Sequence, residues 1–86
     1  MKTIADLKKK IILGVKLECY NHWFKESLGV REIGHVQSNS FAFNTIKGTL
    51  SWCNFPKKNE VVFVDDKTFN IINPDNKELI LTYTFI

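Results

Sequence analysis

Cys19, His22, His35 and Cys53 are the residues of this sequence whose types and spacing bring metal chemistry to mind first, since two thiolates and two imidazoles make a Cys2His2 zinc set. The Cys19-x2-His22 spacing carries little by itself. If a strand ran through residue 22, Cys19 and His22 would point to opposite faces, and only a turn beginning near Asn21 would bring them together. A buried Cys19 and an exposed His22 are the plainer reading, and no metal site is expected. A Cys53/His35 nucleophile pair would need a third group to orient the imidazole, and only Glu32 and Asn54 stand nearby in number. The chain has no glycine-rich phosphate loop, no G-x-S-x-G elbow, no H-E-x-x-H and no paired CxxC. With 86 residues, folding hides only about 60–65% of the open chain's surface. A non-enzymatic protein without a cofactor is therefore the expectation.

The aromatic residues suggest binding instead. Phe41, Phe43, Trp52 and Phe55 fall on adjacent predicted strands, and Trp23-Phe24 sits in a predicted connection beside Lys25. In a nucleic-acid-binding barrel, exposed rings stack bases while lysines follow the backbone. For Phe41, Phe43 and Trp52 the simpler expectation is the core of a small domain. Trp23 and Phe24 are harder to bury together, and an adjacent pair in a connection marks a protein contact or a lid over a barrel end.

Cations supply the remaining candidates. Residues 1–58 hold ten Lys/Arg against four carboxylates, and residues 59–86 hold two against five, so a +6 front and a −3 back give the net +3. Such a dipole orients a partner at encounter. Lys8, Lys9, Lys10, Lys16 and Lys47 are the candidates for phosphate contact, with Lys57 and Lys58 as electrostatic support. The triple lysine has a plainer role as the solvated end of a helix. Arg31 is the one arginine among twelve cations, which weakens a DNA-reading hypothesis, because arginine is the residue suited to bidentate phosphate and guanine contacts.

These residues must be positioned by few elements, all within one domain spanning 1–86. Thr3-Ile4-Ala5-Asp6 has the form of a capping box, Ile4, Leu7 and Ile11 recur at helical spacing, and Gly14 fits a stop, so a helix is predicted over 4–12. Alternation then takes over. Strands are predicted at 15–20, 30–37, 41–46, 49–54, 61–64, 68–72 and 79–85. His22 to Gly29 forms a connection, Gly34 suggests a bulge or a close backbone approach, and Ser38-Asn39-Ser40 and Lys47-Gly48 are turns. Residues 61–72 form either a hairpin around Asp65-Asp66-Lys67 or one long bent strand, and Asn73-Pro74-Asp75-Asn76 is a turn. The last strand is apolar on both faces, which points to a central position or an interface, including one that supports a homodimer. The fold expected is α+β, with one short N-terminal helix and a strongly bent antiparallel sheet or small SH3-like or OB-like barrel of five to seven strands.

Globular composition, with 44% hydrophobic and 24% charged residues, excludes disordered and fibrous classes. The apolar run Ile11-Ile12-Leu13 is far too short for a membrane span or a secretory h-region, and two cysteines fit reduced thiols better than a secreted disulfide scaffold. A cytoplasmic protein with no membrane partner is expected.

At Gly29-Val30-Arg31-Glu32, Val36-Gln37-Ser38-Asn39-Ser40-Phe41-Ala42-Phe43 and Ser51-Trp52-Cys53-Asn54-Phe55-Pro56-Lys57, the chain resembles small uncharacterised proteins of bacteriophages and prophages. Their opening is similar to Met1-Lys2-Thr3-Ile4-Ala5-Asp6-Leu7-Lys8, and their last strand to the segment around Leu79, Thr82 and Tyr83. The resemblance names no activity and carries over no catalytic residue. It implies a mobile-element source, where small single-domain proteins inhibit host defence as anti-CRISPR proteins do. The leading expectation is thus a phage-type anti-defence inhibitor in the host bacterial cytoplasm, occupying a defence protein or nucleoprotein through Trp23, Phe24, Lys25 and Arg31 with help from Lys57 and Lys58. The alternative is a small β-barrel nucleic-acid-binding protein.

Overall fold

In the computed structural model, which describes Met1–Ile86, one short helix plugs the concave side of a curled, seven-stranded antiparallel sheet. Helix α1 spans Ile4–Lys10 and begins with the capping box that its sequence announces: Thr3 Oγ1 accepts from the Asp6 amide at 3.1 Å, while Asp6 accepts from the Thr3 amide at 3.2 Å. It stops before the expected residue 12. The amide of Gly14 donates to the carbonyl of Ile33, and the Ile33 amide donates to Val15, so the segment after Ile11 is already committed to the sheet.

The strands are β1 (Lys16–Asn21), β2 (Glu26–Val36), β3 (Ser40–Asn44), β4 (Leu50–Asn54), β5 (Val61–Phe63), β6 (Thr68–Ile72) and β7 (Leu79–Phe85), and a short 3-10 turn at Lys58–Glu60 precedes β5. Their spatial order is β4-β3-β2-β1-β7-β6-β5. Two meanders therefore meet at the β1/β7 seam, and β4 and β5 are left as the unjoined edges of a half-barrel. Residues 61–72 form the hairpin of the two arrangements expected, and β7 lies inside the sheet with neighbours on both sides.

Strand alternation aims Leu17 and Cys19, Ile33, Phe41 and Phe43, Phe69 and Tyr83 at the concave side, where Leu7 and Ile11 of α1 complete the core. The curl is tight enough for Phe43 of β3 to stack on Tyr83 of β7 at 6.1 Å between centroids, across two intervening strands.

Three expectations are corrected by this register. The connection expected over residues 22–29 is only His22–Lys25, because Asn21 Oδ1 accepts from the Trp23 and Phe24 amides at 2.9 and 3.2 Å and turns the chain at once. Strand β2 accordingly starts at Glu26 rather than 30, and Gly29, at φ +78°, marks a bulge opposite Cys19/Tyr20 instead of a strand end. Trp52 is not a core residue. Phe41 pairs with Cys53 and Phe43 with Ser51, so Trp52, opposite Ala42, faces outward and is 48% exposed.

Gly34 does mark both a bulge and a close approach. The β2/β3 register slips between Ile33 and His35, and a Cβ on Gly34 would lie 2.7 Å from Asn44 Cγ and 2.9 Å from Leu50 Cδ2.

Candidate functional site

Antiparallel meandering sends the β1–β2, β3–β4 and β6–β7 turns to one end of the half-barrel. That end gathers Trp23, Phe24 and Lys25 on the first turn with Lys47 on the second, and Arg31 lies on the strand between them. Trp23 is 67% exposed and Phe24 73%, so neither ring serves the core. Their backbone is nonetheless held. Asn21 Oδ1 caps both amides, Lys25 closes the turn in the left-handed region at φ +51°, and the His22 amide donates to the carbonyl of Ile80 on the neighbouring segment at 2.9 Å.

Between the two hairpins lies a cleft of about 480 Å³, with Leu28, Val30 and Arg31 of β2 on one wall and Thr45, Ile46 and Lys47 of the β3–β4 turn on the other. The turn is braced by Thr45 Oγ1 and Thr49 Oγ1, 2.7 Å apart. Arg31 is half-buried and its guanidinium makes no hydrogen bond or ion pair within the chain, so the five side-chain donors remain available to a ligand.

The other candidates scatter. Lys8 Nζ lies over the Phe55 ring at 5.3 Å, and Lys10 Nζ lies over the Phe85 ring at 5.7 Å and also donates to the carbonyl of Asp66. Two of the three consecutive lysines therefore brace α1 against the sheet. Lys9 and Lys16 face solvent, Lys57 and Lys58 start the 3-10 turn beside Glu60, and Lys58 shares a separate cleft with Lys2 and Phe63. No single basic track joins these residues to Lys47.

The four residues with zinc-ligand chemistry do not converge. Cys19 is buried on the concave side, and Cys53 also faces inward. His22 Nε2 contacts Thr82 Oγ1 at 2.7 Å, and His35 packs edge-on against Trp52 on the convex side. No group of three metal-ligating side chains forms anywhere in the chain. Burial pushes the thiols of Cys19 and Cys53 up, with the Arg31 guanidinium and the Tyr83 hydroxyl pulling back only in part. Neutral thiols are poor nucleophiles.

Sequence reasoning missed the row formed by His22, Thr82 and Asn70, in which Thr82 Oγ1 donates to Asn70 Oδ1 at 2.7 Å. Its signal was slight, since a Thr and an Asn on separate strands become partners only once the β1/β7 and β6/β7 registers are known. No helix is long and apolar enough to cross a membrane. Set against protein-family models, curated proteins and solved structures, the chain matches none of them.

Proposed function

We propose that this chain is a non-enzymatic binding module that inhibits by occupying the surface of a macromolecular partner, with Trp23 and Phe24 as its anchors and Lys25 and Arg31 beside them. The observation that carries the reading is the pair of solvent-facing rings on a turn whose backbone is already fixed by Asn21 and Lys25. Burying a large apolar side chain contributes roughly 1.5–3 kcal/mol, and a pre-ordered turn loses little entropy when it docks. Trp is also the residue type most often found at the energetic centre of protein interfaces. The resemblance to phage and prophage proteins supplies the class of partner, a host defence protein or nucleoprotein in the bacterial cytoplasm.

The test is a pull-down from bacterial lysate, split into nuclease-treated and untreated halves, with wild type and a Trp23→Ala/Phe24→Ala variant as baits. A protein captured in both halves by wild type and lost with the variant is the expected result. Capture that vanishes with nuclease would instead support the alternative, direct nucleic-acid binding by a small β-barrel. Capture unaffected by the double substitution overturns the assignment of the site.

A further inference from the structure

We infer that the cleft between the β1–β2 and β3–β4 hairpins takes an extended acidic peptide segment, which adds as a short strand to β2 and sets a carboxylate against Arg31 and Lys47. The inference rests on the reading above that this end of the half-barrel faces a protein partner, and it adds that partner's chemistry.

The backbone comes first. Strand β3 pairs with β2 only from Ile33 to Val36, whereas β1 pairs along Glu26–Glu32. The part of β2 before Ile33 therefore has a neighbour on one side alone. Hydrogen bonds from the Gly14 amide to the Ile33 carbonyl and from the Ile33 amide to Val15 show that the polar groups of Ile33 point toward β1. Between Gly29 and Glu32 the register has no slip, so alternation turns the N–H and C=O of Val30 the other way, into the cleft. An unpaired edge of this kind is a template for a further strand.

Side chains then select the segment. A strand laid along β2 places alternate residues on the convex side beside Val30, which is 56% exposed, and on the concave side beside Arg31. Apolar groups suit the first position and carboxylates the second, with Ile46 on the facing turn and Leu28, which packs against the core, lining the same cleft. No carboxylate lines the cleft, and the one ion pair of the molecule, the N-terminal ammonium with Asp66, involves neither Arg31 nor Lys47. A half-buried guanidinium without a partner gains most from a carboxylate that accepts from it bidentately.

The probe is a capped hexapeptide of alternating Val and Glu, titrated into the full chain labelled for amide NMR, with a Val/Lys hexapeptide, inorganic phosphate and a thymidine hexanucleotide as controls. The expected result is a shift of the Val30 and Arg31 amides by the Val/Glu peptide, slowed exchange of the Val30 amide in the complex, and no response to the Val/Lys peptide. Arg31→Gln and, independently, the turn variant Lys47→Gln should each weaken binding about tenfold, as loss of one charge-assisted contact does. Failure of the Val/Glu peptide to bind, or equal binding of both peptides, overturns the inference. So does phosphate that reproduces the same shifts, which would make this a bare anion site, or tighter binding of the oligonucleotide. The Trp23→Ala/Phe24→Ala variant separates the two readings: it should keep its peptide affinity while losing the captured partner. A cleft that rejects the peptide in a chain that still captures its partner through the rings sinks the strand addition alone.

Discussion

His22 Nε2 lies 2.7 Å from Thr82 Oγ1, and that contact ties the β1–β2 turn to β7. Thr82 gives its one hydroxyl proton to Asn70 Oδ1, so His22 must be the donor from Nε2. The row runs from the β1–β2 turn across β7 to β6 on the convex side, and Tyr20 packs edge-on against the same imidazole at 4.9 Å. The base of the aromatic turn is therefore fastened to the second meander as well as to its own hairpin. Thr82→Val removes both hydrogen bonds at nearly constant volume and should cost about 1–2 kcal/mol. Urea unfolding should show a lower midpoint at unchanged slope. An unchanged midpoint would mean that the row contributes nothing to the seam.

Trp23→Ala/Phe24→Ala should leave the melt nearly where it is, because neither ring enters the core and exposed substitutions fall within about 0.5 kcal/mol. Thermal unfolding by circular dichroism checks this directly. A drop of several degrees would show that the rings are packed, and would remove their claim to be free for a partner.

Gly34→Ala should destabilise by about 1–3 kcal/mol, the usual cost of forcing extra volume into a packed site. The new methyl meets the Asn44 side chain, which can retreat only by giving up its 3.0 Å hydrogen bond to Glu32, and it also meets Leu50. Asn44→Ala should recover part of the loss when combined with Gly34→Ala. Strict additivity of the two in a double-mutant cycle would show that they do not meet.

How far the sequence could be read follows from what each signal depends on. The capping box, the turn residues and the alternation of Leu17 and Cys19 are local, and each was legible because neighbours in sequence decide it. Gly34 was legible only through its residue type, its bulge and its close approach being set by pairing with β3. Trp52 was misplaced because alternation gives two faces without saying which is inner, and only the pairing of Phe41 with Cys53 settles that. Trp23 and Phe24 were legible as exposed through the difficulty of burying adjacent rings. The cleft was not, since it exists only because β3 pairs with no residue of β2 before Ile33, a fact of long-range register.

Stability should fall on both sides of a broad plateau. Asp6 is held below the ordinary carboxylate value chiefly by the Lys2 amide, and Asp66 chiefly by its hydrogen bond from the N-terminal ammonium. Carboxylates depressed in the folded state stabilise it above the unfolded value of about 4, and that stabilisation disappears as pH falls through the folded values. Burial raises Cys19, Cys53 and Tyr83, which instead stabilise the fold below their unfolded values of about 8.5 and 10 and cease to do so as pH rises. Denaturant midpoints measured from pH 2 to 11 should therefore fall as pH drops below about 4 and again as it rises above about 8. Asp66→Asn should flatten part of the acid limb, and Cys19→Ala part of the alkaline one.

Lys8, Lys9 and Lys10 are consecutive and chemically identical, yet they should behave differently when each is replaced by Ala. Lys10 lies over Phe85 and donates to the Asp66 carbonyl, and Lys8 lies over Phe55, whereas Lys9 has no such partner. Exposed cation–π contacts contribute about 0.5–1 kcal/mol, so Lys8→Ala and Lys10→Ala should lower stability and Lys9→Ala should not. A phosphate-binding role predicts another pattern: three similar losses of nucleic-acid affinity, a smaller salt slope in each variant, and no ordering in stability. Melting curves and a salt-dependent DNA titration on the same three variants decide between them. Equal stabilities with equal losses of affinity would return these lysines to the nucleic-acid reading.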